Sequence, residues 1–154
     1  MRNHLLFAIP LFKRKKRKKV KLLPHDEAWN EEFLRTKSEI ALIWGENVLE
    51  IEHVGSTAIC NICAKPIIDA AVVVKTFQNM DVDAMEAAGY RYMGARNAEA
   101  DRYMFAKYPD GSEEFVTHHI HIYEPGNQDY INLVGFRDHL NSHPEAADEY
   151  NAIS

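Results

Sequence analysis

Ile51-Glu52-His53-Val54-Gly55-Ser56-Thr57, followed after six residues by Ala64-Lys65-Pro66-Ile67-Ile68-Asp69-Ala70-Ala71-Val72-Val73-Val74, decides how this chain is read. The pattern predicts a strand, a tight polar turn, a short helix and a second strand. Residues 67–74 are apolar except for Asp69 and rich in β-branched side chains, as in a strand covered on both faces. A carboxylate inside such a run is costly unless a cation or a hydrogen-bond network receives it. Gly55-Ser56-Thr57 stands where strand hands over to helix, and there free N–H groups and the helix dipole favour an anion, typically phosphate. Lys65 and Arg102 are candidates to reach a phosphate or carboxylate near that turn, and each has a plain surface-charge alternative.

Outward from this stretch, Val48–Val54 is the strand that leads into the turn. Before it, Val20–Leu23 reads as a short edge strand closed by Pro24. A helix is expected from an Asp26 N-cap to Trp44, with Gly45 ending it. Trp29, Phe33, Ile40 and Trp44 fall on one stripe of that helix and are assigned to the core. Residues 81–88 read as a helix ended by Gly89, 90–93 as a short strand and 94–101 as a loop. Residues 102–108 and 114–123 form a hairpin across Pro109-Asp110-Gly111-Ser112. A second long helix covers 127–141, and Pro144 suits the first turn of another. Early alternation of strands and helices followed by a hairpin predicts an α/β chain with a mixed (α+β) sheet flanked by helices.

A chain of 154 residues suits one domain with a single core. Charge is unevenly placed. Nine of the 18 Lys and Arg residues precede Leu22, whereas all 23 acids follow it. The acidic body makes a poor general binder of nucleic acid. Leu5–Phe12 is far below the roughly 20 apolar residues that span a bilayer. The basic block Lys13–Lys19 comes after it, whereas a signal peptide has its charge in front, so a cytoplasmic protein without an export signal is expected. The basic tail either touches anionic lipid or nucleic acid, or is an extension without a role. Cys60 and Cys63 form a Cys-x-x-Cys placed in the short helix after the turn; with no second pair to complete a zinc site, they read as packing thiols.

His119 and His121 are the other residues with chemistry. Two apart on a strand, they point the same way, while His118, Ile120 and Ile122 point the other. If that strand lies near Asp69, a two-histidine, one-carboxylate group forms, suited to manganese, iron or zinc better than magnesium. The alternative is a pair of hydrogen-bonded or solvent-facing histidines. Asp69, His119 and His121 are expected to meet at the floor of one cleft. Without metal, Asp69→Asn is then expected to cost little, or even to stabilise, by relieving an uncompensated carboxylate. Alternation along the strand lets at most one of Glu52 and His53 face the cleft. Arg137 and Asp138 are read as structural, holding the long helix to the sheet.

A Gly-Ser that opens a short helix, with an acid on a strand some thirteen residues later, resembles the nucleotidyltransferase signature. EHVGSTA, AKPIIDAAVVV, THHIHIYE and FRDHLNSHPEAADEY, in that order, are similar to the GrpB-like family of nucleotidyltransferase-like fold. The resemblance covers residues 20–154 and leaves residues 1–19 as a tail outside the domain, dispensable for folding. It implies transfer of a nucleotidyl or phosphoryl group to a small molecule with a divalent metal (Mg or Mn). Asp69 would be catalytic and metal-binding, with His119 and His121, from their strand spacing, as partial substitutes for further ligands, and Gly55, Ser56, Thr57, Lys65 and Arg102 would hold a nucleotide or phosphorylated small molecule. Active relatives carry a second acid two residues on, where this chain has Ala71. Cys60-Asn61 replaces the family's Pro-Gly, and Asn tolerates the left-handed turn. Family members usually continue with another helix, and some are fused to dephospho-coenzyme A kinase. The second reading is therefore a non-catalytic module that binds a nucleotide or anionic metabolite.

Overall fold

The computed structural model describes residues 21–109 and 115–153. The basic tail and the centre of the expected hairpin turn lie outside the described residues. Asp26 caps the first helix, α1 (Glu27–Trp44), through its carboxylate on the Ala28 N–H at 2.9 Å. At the other end Gly45 adopts φ +52 and returns its N–H to the Ala41 carbonyl. The stripe Trp29, Phe33, Ile40 and Trp44 is buried, as its spacing requires.

Strands β1 (Val48–Val54) and β2 (Ile68–Val74) pair antiparallel, and a 3-10 turn (Ser56–Ala58) stands directly after β1. Helix α2 (Val82–Ala87), capped by Asp81, leads to β3 (Tyr90–Ala95), β4 (Arg102–Lys107) and β5 (His118–Tyr123). The order across the five-stranded sheet is β1-β2-β5-β4-β3. β5 enters beside β2 in parallel, while β4 and β3 follow antiparallel. The expected hairpin therefore forms as the β4–β5 pair. Part of the segment expected as a loop, Gly94 and Ala95, extends β3 instead.

β2 is central and covered on both faces, which explains its nearly unbroken apolar run. On one face Ile68, Ala70, Val72 and Val74 join Ile51, Phe105, Ile120 and Ile122 under the α1 stripe. On the other, Ala71 and Val73 pack with Val54, Tyr123 and Tyr130 beneath α3 (Gln128–Ser142). Asn127 caps α3 by accepting from the N–H groups of Asp129 and Tyr130. Pro144 opens α4 (Pro144–Ile153). Arg137 fastens α3 to the sheet, 2.7 Å from Glu52 and 2.9 Å from the His53 carbonyl.

Two expectations need correction. Of the expected strand over 20–23, the described residues 21–23 form no strand of the sheet and make one bridge, Leu23 to Ala64, beside the turn region. Cys60 and Cys63 are not on a helix, because the 3-10 turn ends at Ala58. Their N–H groups are instead taken by the side chains of Asn141 and Asn151, which anchor this loop to α3 and α4. Among the described residues no helix is long and apolar enough to cross a membrane.

Candidate functional site

Gly55 sits at φ +74, ψ −175, a region essentially confined to glycine. Asp69 pairs with Val54, the residue before Gly55, across the β1–β2 pair, and a Cβ at position 55 would lie 2.5 Å from Asp69 Oδ2. The glycine thus serves two needs, an unusual backbone angle and a space for the carboxylate of the next strand. The Thr57 hydroxyl donates to the Ile67 carbonyl at 3.2 Å, so its oxygen accepts from His53 Nε2–H at 2.9 Å. His53 stacks on Phe33 with ring centroids 4.8 Å apart, and burial pushes its pKa down to about 4. Both side chains are spent in locking the turn. The Thr57 hydroxyl is therefore a structural clamp, buried and already paired.

Asp69 and His119 are direct partners in the parallel β2–β5 register, so the strand alternation places Asp69, His119 and His121 on one face. His121 Nε2 lies 3.1 Å from Asp69 Oδ1, and His119 Nδ1 3.6 Å from the same oxygen. Arg102, at the start of β4, reaches His121 Nδ1 with Nη1 at 3.3 Å. A guanidinium only donates, so Nδ1 accepts and the His121 proton resides on Nε2, directed at Asp69. The result is a polarised chain from Arg102 through His121 to Asp69. Burial alone would raise the Asp69 carboxyl, but the two imidazoles outweigh it and hold the carboxyl below its usual value. The expectation of an uncompensated carboxylate is therefore corrected: neighbouring β5 supplies its compensation.

This donor set does not fit a divalent cation. Both His121 nitrogens are occupied by protein partners, and the two imidazoles face one carboxylate oxygen rather than a common point outside it. The strand position that would carry a second acid is Ala71, fully buried. Glu52, the residue opposite Ala71, is held by Arg137. Among the described residues no group of three or more His, Cys, Asp or Glu side chains is arranged to hold a metal ion.

A cavity of about 240 Å³ opens between the turn and the loop before β2, and Ser56, Lys65, Asp69 and His119 supply its polar lining. Lys65 is exposed and, among the described residues, has no ion-pair partner within 4.0 Å. Arg102 does not join this cavity. It lines a second one, at the other end of the β5 stripe, with Tyr123, Asp129, Asn132, Leu133 and Phe136. The last four recur at helical spacing on one face of α3, a periodic signal in the sequence that was not read as a site. Tyr123 carried no such signal, because β5 alone does not say what stands above it.

A glycine-serine turn against an acid-bearing central strand, within a mixed sheet flanked by helices, is a nucleotidyltransferase-like fold. The described chain superposes on the Cid1 poly(U) polymerase with a TM-score of 0.52 at 12% identity, over 80% of this chain and 37% of that one. That likeness concerns the fold alone. The GrpB protein family model matches residues 19–154, and the chain belongs to this family. The crystal structure of the conserved protein GrpB from Enterococcus faecalis aligns with a TM-score of 0.78 at 34% identity, over 86% of this chain and 79% of that one. UPF0157 protein YqkA of Bacillus subtilis is 37% identical over 89% of this chain, which spans 39% of that protein's length. Glutamate-rich protein GrpB of Alkalihalophilus pseudofirmus is 33% identical over 86% of this chain and 77% of its own. A shorter match, 31% over 46% of this chain and 18% of the relative, is to a dephospho-CoA kinase of Mycobacterium bovis.

Proposed function

We propose that this chain binds a phosphorylated small molecule of the nucleotide class, as a recognition module rather than a metal-dependent transferase. One observation carries the reading. The cavity beside the Gly55 turn gathers a hydroxyl (Ser56), an ammonium without an ion-pair partner among the described residues (Lys65) and an imidazole (His119) around one opening. Phosphate oxygens accept from the hydroxyl and the ammonium, and charge-assisted bonds are the strong ones, while His119 turns its Nδ1 to Asp69. The phosphate sits toward Ser56 and Lys65. Asp69, already satisfied by the two imidazoles, accepts from a ligand hydroxyl at the other side of the opening. The lone acid and the occupied His121 nitrogens support binding over two-metal phosphoryl chemistry, which needs several free oxygen ligands. The partial match to a dephospho-CoA kinase supports dephospho-coenzyme A among the first ligands to try.

Calorimetry with ATP, UTP and dephospho-coenzyme A, with and without magnesium, tests the reading. Saturable binding is expected for at least one ligand without magnesium. Ser56→Ala is expected to weaken it by one hydrogen bond to a charged group, roughly 1.5–3 kcal/mol, and Lys65→Met by a similar amount. A ligand whose affinity ignores both substitutions binds elsewhere. Binding or turnover that requires magnesium would return the transferase reading.

A further inference from the structure

We propose that the second cavity, between the first half of α3 and strands β4 and β5, binds a small zwitterion with an apolar side chain, the chemistry of an aliphatic or aromatic α-amino acid. The cavity measures about 360 Å³ and lies beyond His121 from the Asp69 site. Its lining combines opposite charges that do not satisfy each other. Arg102 contributes a guanidinium and Asp129 a carboxylate, and among the described residues neither has an ion-pair partner within 4.0 Å. Two charges of opposite sign around one small opening, with no ion-pair partner among the described residues, match a ligand that carries both, with its carboxylate on Arg102 and its ammonium on Asp129.

The rest of the lining completes the match. Asn132 Oδ1 accepts from Gln128 Nε2–H at 2.9 Å, which leaves the Asn132 NH₂ group to donate to a second carboxylate oxygen. Tyr123 lines the same opening and shares a side-chain hydrogen bond with Arg102. Its pKa is raised to about 12, chiefly by burial, so its hydroxyl keeps its proton. Leu133 and Phe136 form the apolar wall. Phe136 is 46% exposed, and among the described residues its ring neighbour is Tyr150, with centroids 5.4 Å apart. Ligand pockets commonly join such walls to a few polar groups that fix orientation. The inference does not rest on the phosphate reading, since the two cavities share none of their lining residues.

L-phenylalanine is the probe, titrated by heteronuclear NMR against the full chain, with 3-phenylpropionate and phenethylamine as ligands that lack one charge each. Saturable shifts at Leu133, Phe136 and Tyr123 are expected for phenylalanine, and about tenfold weaker affinity for each analogue. Arg102→Gln should abolish the advantage of phenylalanine over phenethylamine. Asp129→Asn should abolish its advantage over 3-phenylpropionate. Arg102 also supports His121, so Asp129→Asn and Phe136→Ala, both exposed positions, keep the test independent of folding. Three results overturn the proposal: no saturable shift with phenylalanine, equal affinity for either analogue, or affinity unchanged in the two exposed variants. Retained phenylalanine binding in Ser56→Ala places failure of the phosphate reading and failure of this one on separate experiments.

Discussion

Gly55→Ala is the most direct test of how the site is built. The residue occupies φ +74, ψ −175, where a non-glycine side chain is strained by about 1–3 kcal/mol. The new methyl would also stand 2.5 Å from Asp69 Oδ2 and 3.0 Å from Asp69 Cβ and Cγ. That contact cannot be met by a swinging side-chain end, because Asp69 is fixed by two imidazoles from β5. Overpacking of this kind costs about 1–3 kcal/mol, so the whole substitution should remove about 2–6 kcal/mol. Small domains are stable by about 5–15 kcal/mol, and the variant should be marginal but measurable by urea unfolding. The steric share is separable. In an Asp69→Ala background the carboxylate is gone and only the Cβ contact at 3.0 Å remains, so Gly55→Ala should cost less than in the parent, with a coupling of about 1–3 kcal/mol between the positions. A single variant within 0.5 kcal/mol of the parent, roughly the limit of an ordinary surface substitution, would refute the strained-turn argument. Strict additivity in the cycle would refute the contact with Asp69.

His53 predicts a pH dependence. An unfolded imidazole takes its proton near 6.5, whereas buried His53 does so near 4, so the unfolded chain binds more protons between those values. Stability should therefore fall as pH drops through that window, by about 3 kcal/mol in total, and His53→Gln should flatten the curve when unfolding is followed at stepped pH. Asp69→Asn removes a carboxylate that two imidazoles favour, and should cost about 1.5–3 kcal/mol at pH 7 by urea unfolding. Because the folded Asp69 pKa is depressed, its contribution is present above the unfolded value and fades as pH falls through the folded one; a stabilised Asp69→Asn variant would refute the compensated chain. Arg137→Met leaves Glu52 and the His53 carbonyl without their donor and should lower stability by about 2–3 kcal/mol, seen as a shifted midpoint at unchanged m-value.

Local chemistry made much of this fold legible. Asp26 and Gly45 mark the ends of α1 because a side-chain oxygen and a left-handed residue satisfy backbone groups that only helix ends leave open. The stripe from Trp29 to Trp44 and the run from Ile68 to Val74 report burial through their periods, 3.6 and unbroken, which are properties of the strand or helix itself. The parity of His119 and His121 also follows from the pleat, wherever β5 goes. What parity leaves undetermined is the neighbour. Only the parallel insertion of β5 beside β2 brings both imidazoles to Asp69 and turns a costly buried acid into a favoured one.

The remaining decisions belong to tertiary structure for the same reason. Thr57 looks like a ligand in a Gly-Ser-Thr turn, yet its hydroxyl is consumed by Ile67 and His53, a contact that depends on how β1 and the loop before β2 close together. Arg102 reads as a cation free to approach the turn; the β4–β5 register instead lays it against His121 and toward the second cavity. A sequence of side chains states what each group can donate, accept or bury. Which groups share one space depends on strand order, here β1-β2-β5-β4-β3, and contacts across that order join residues far apart in the chain. Composition and periodicity, being local sums along the chain, determine the elements and their faces; the pairing of those faces is a long-range packing outcome that no local pattern encodes.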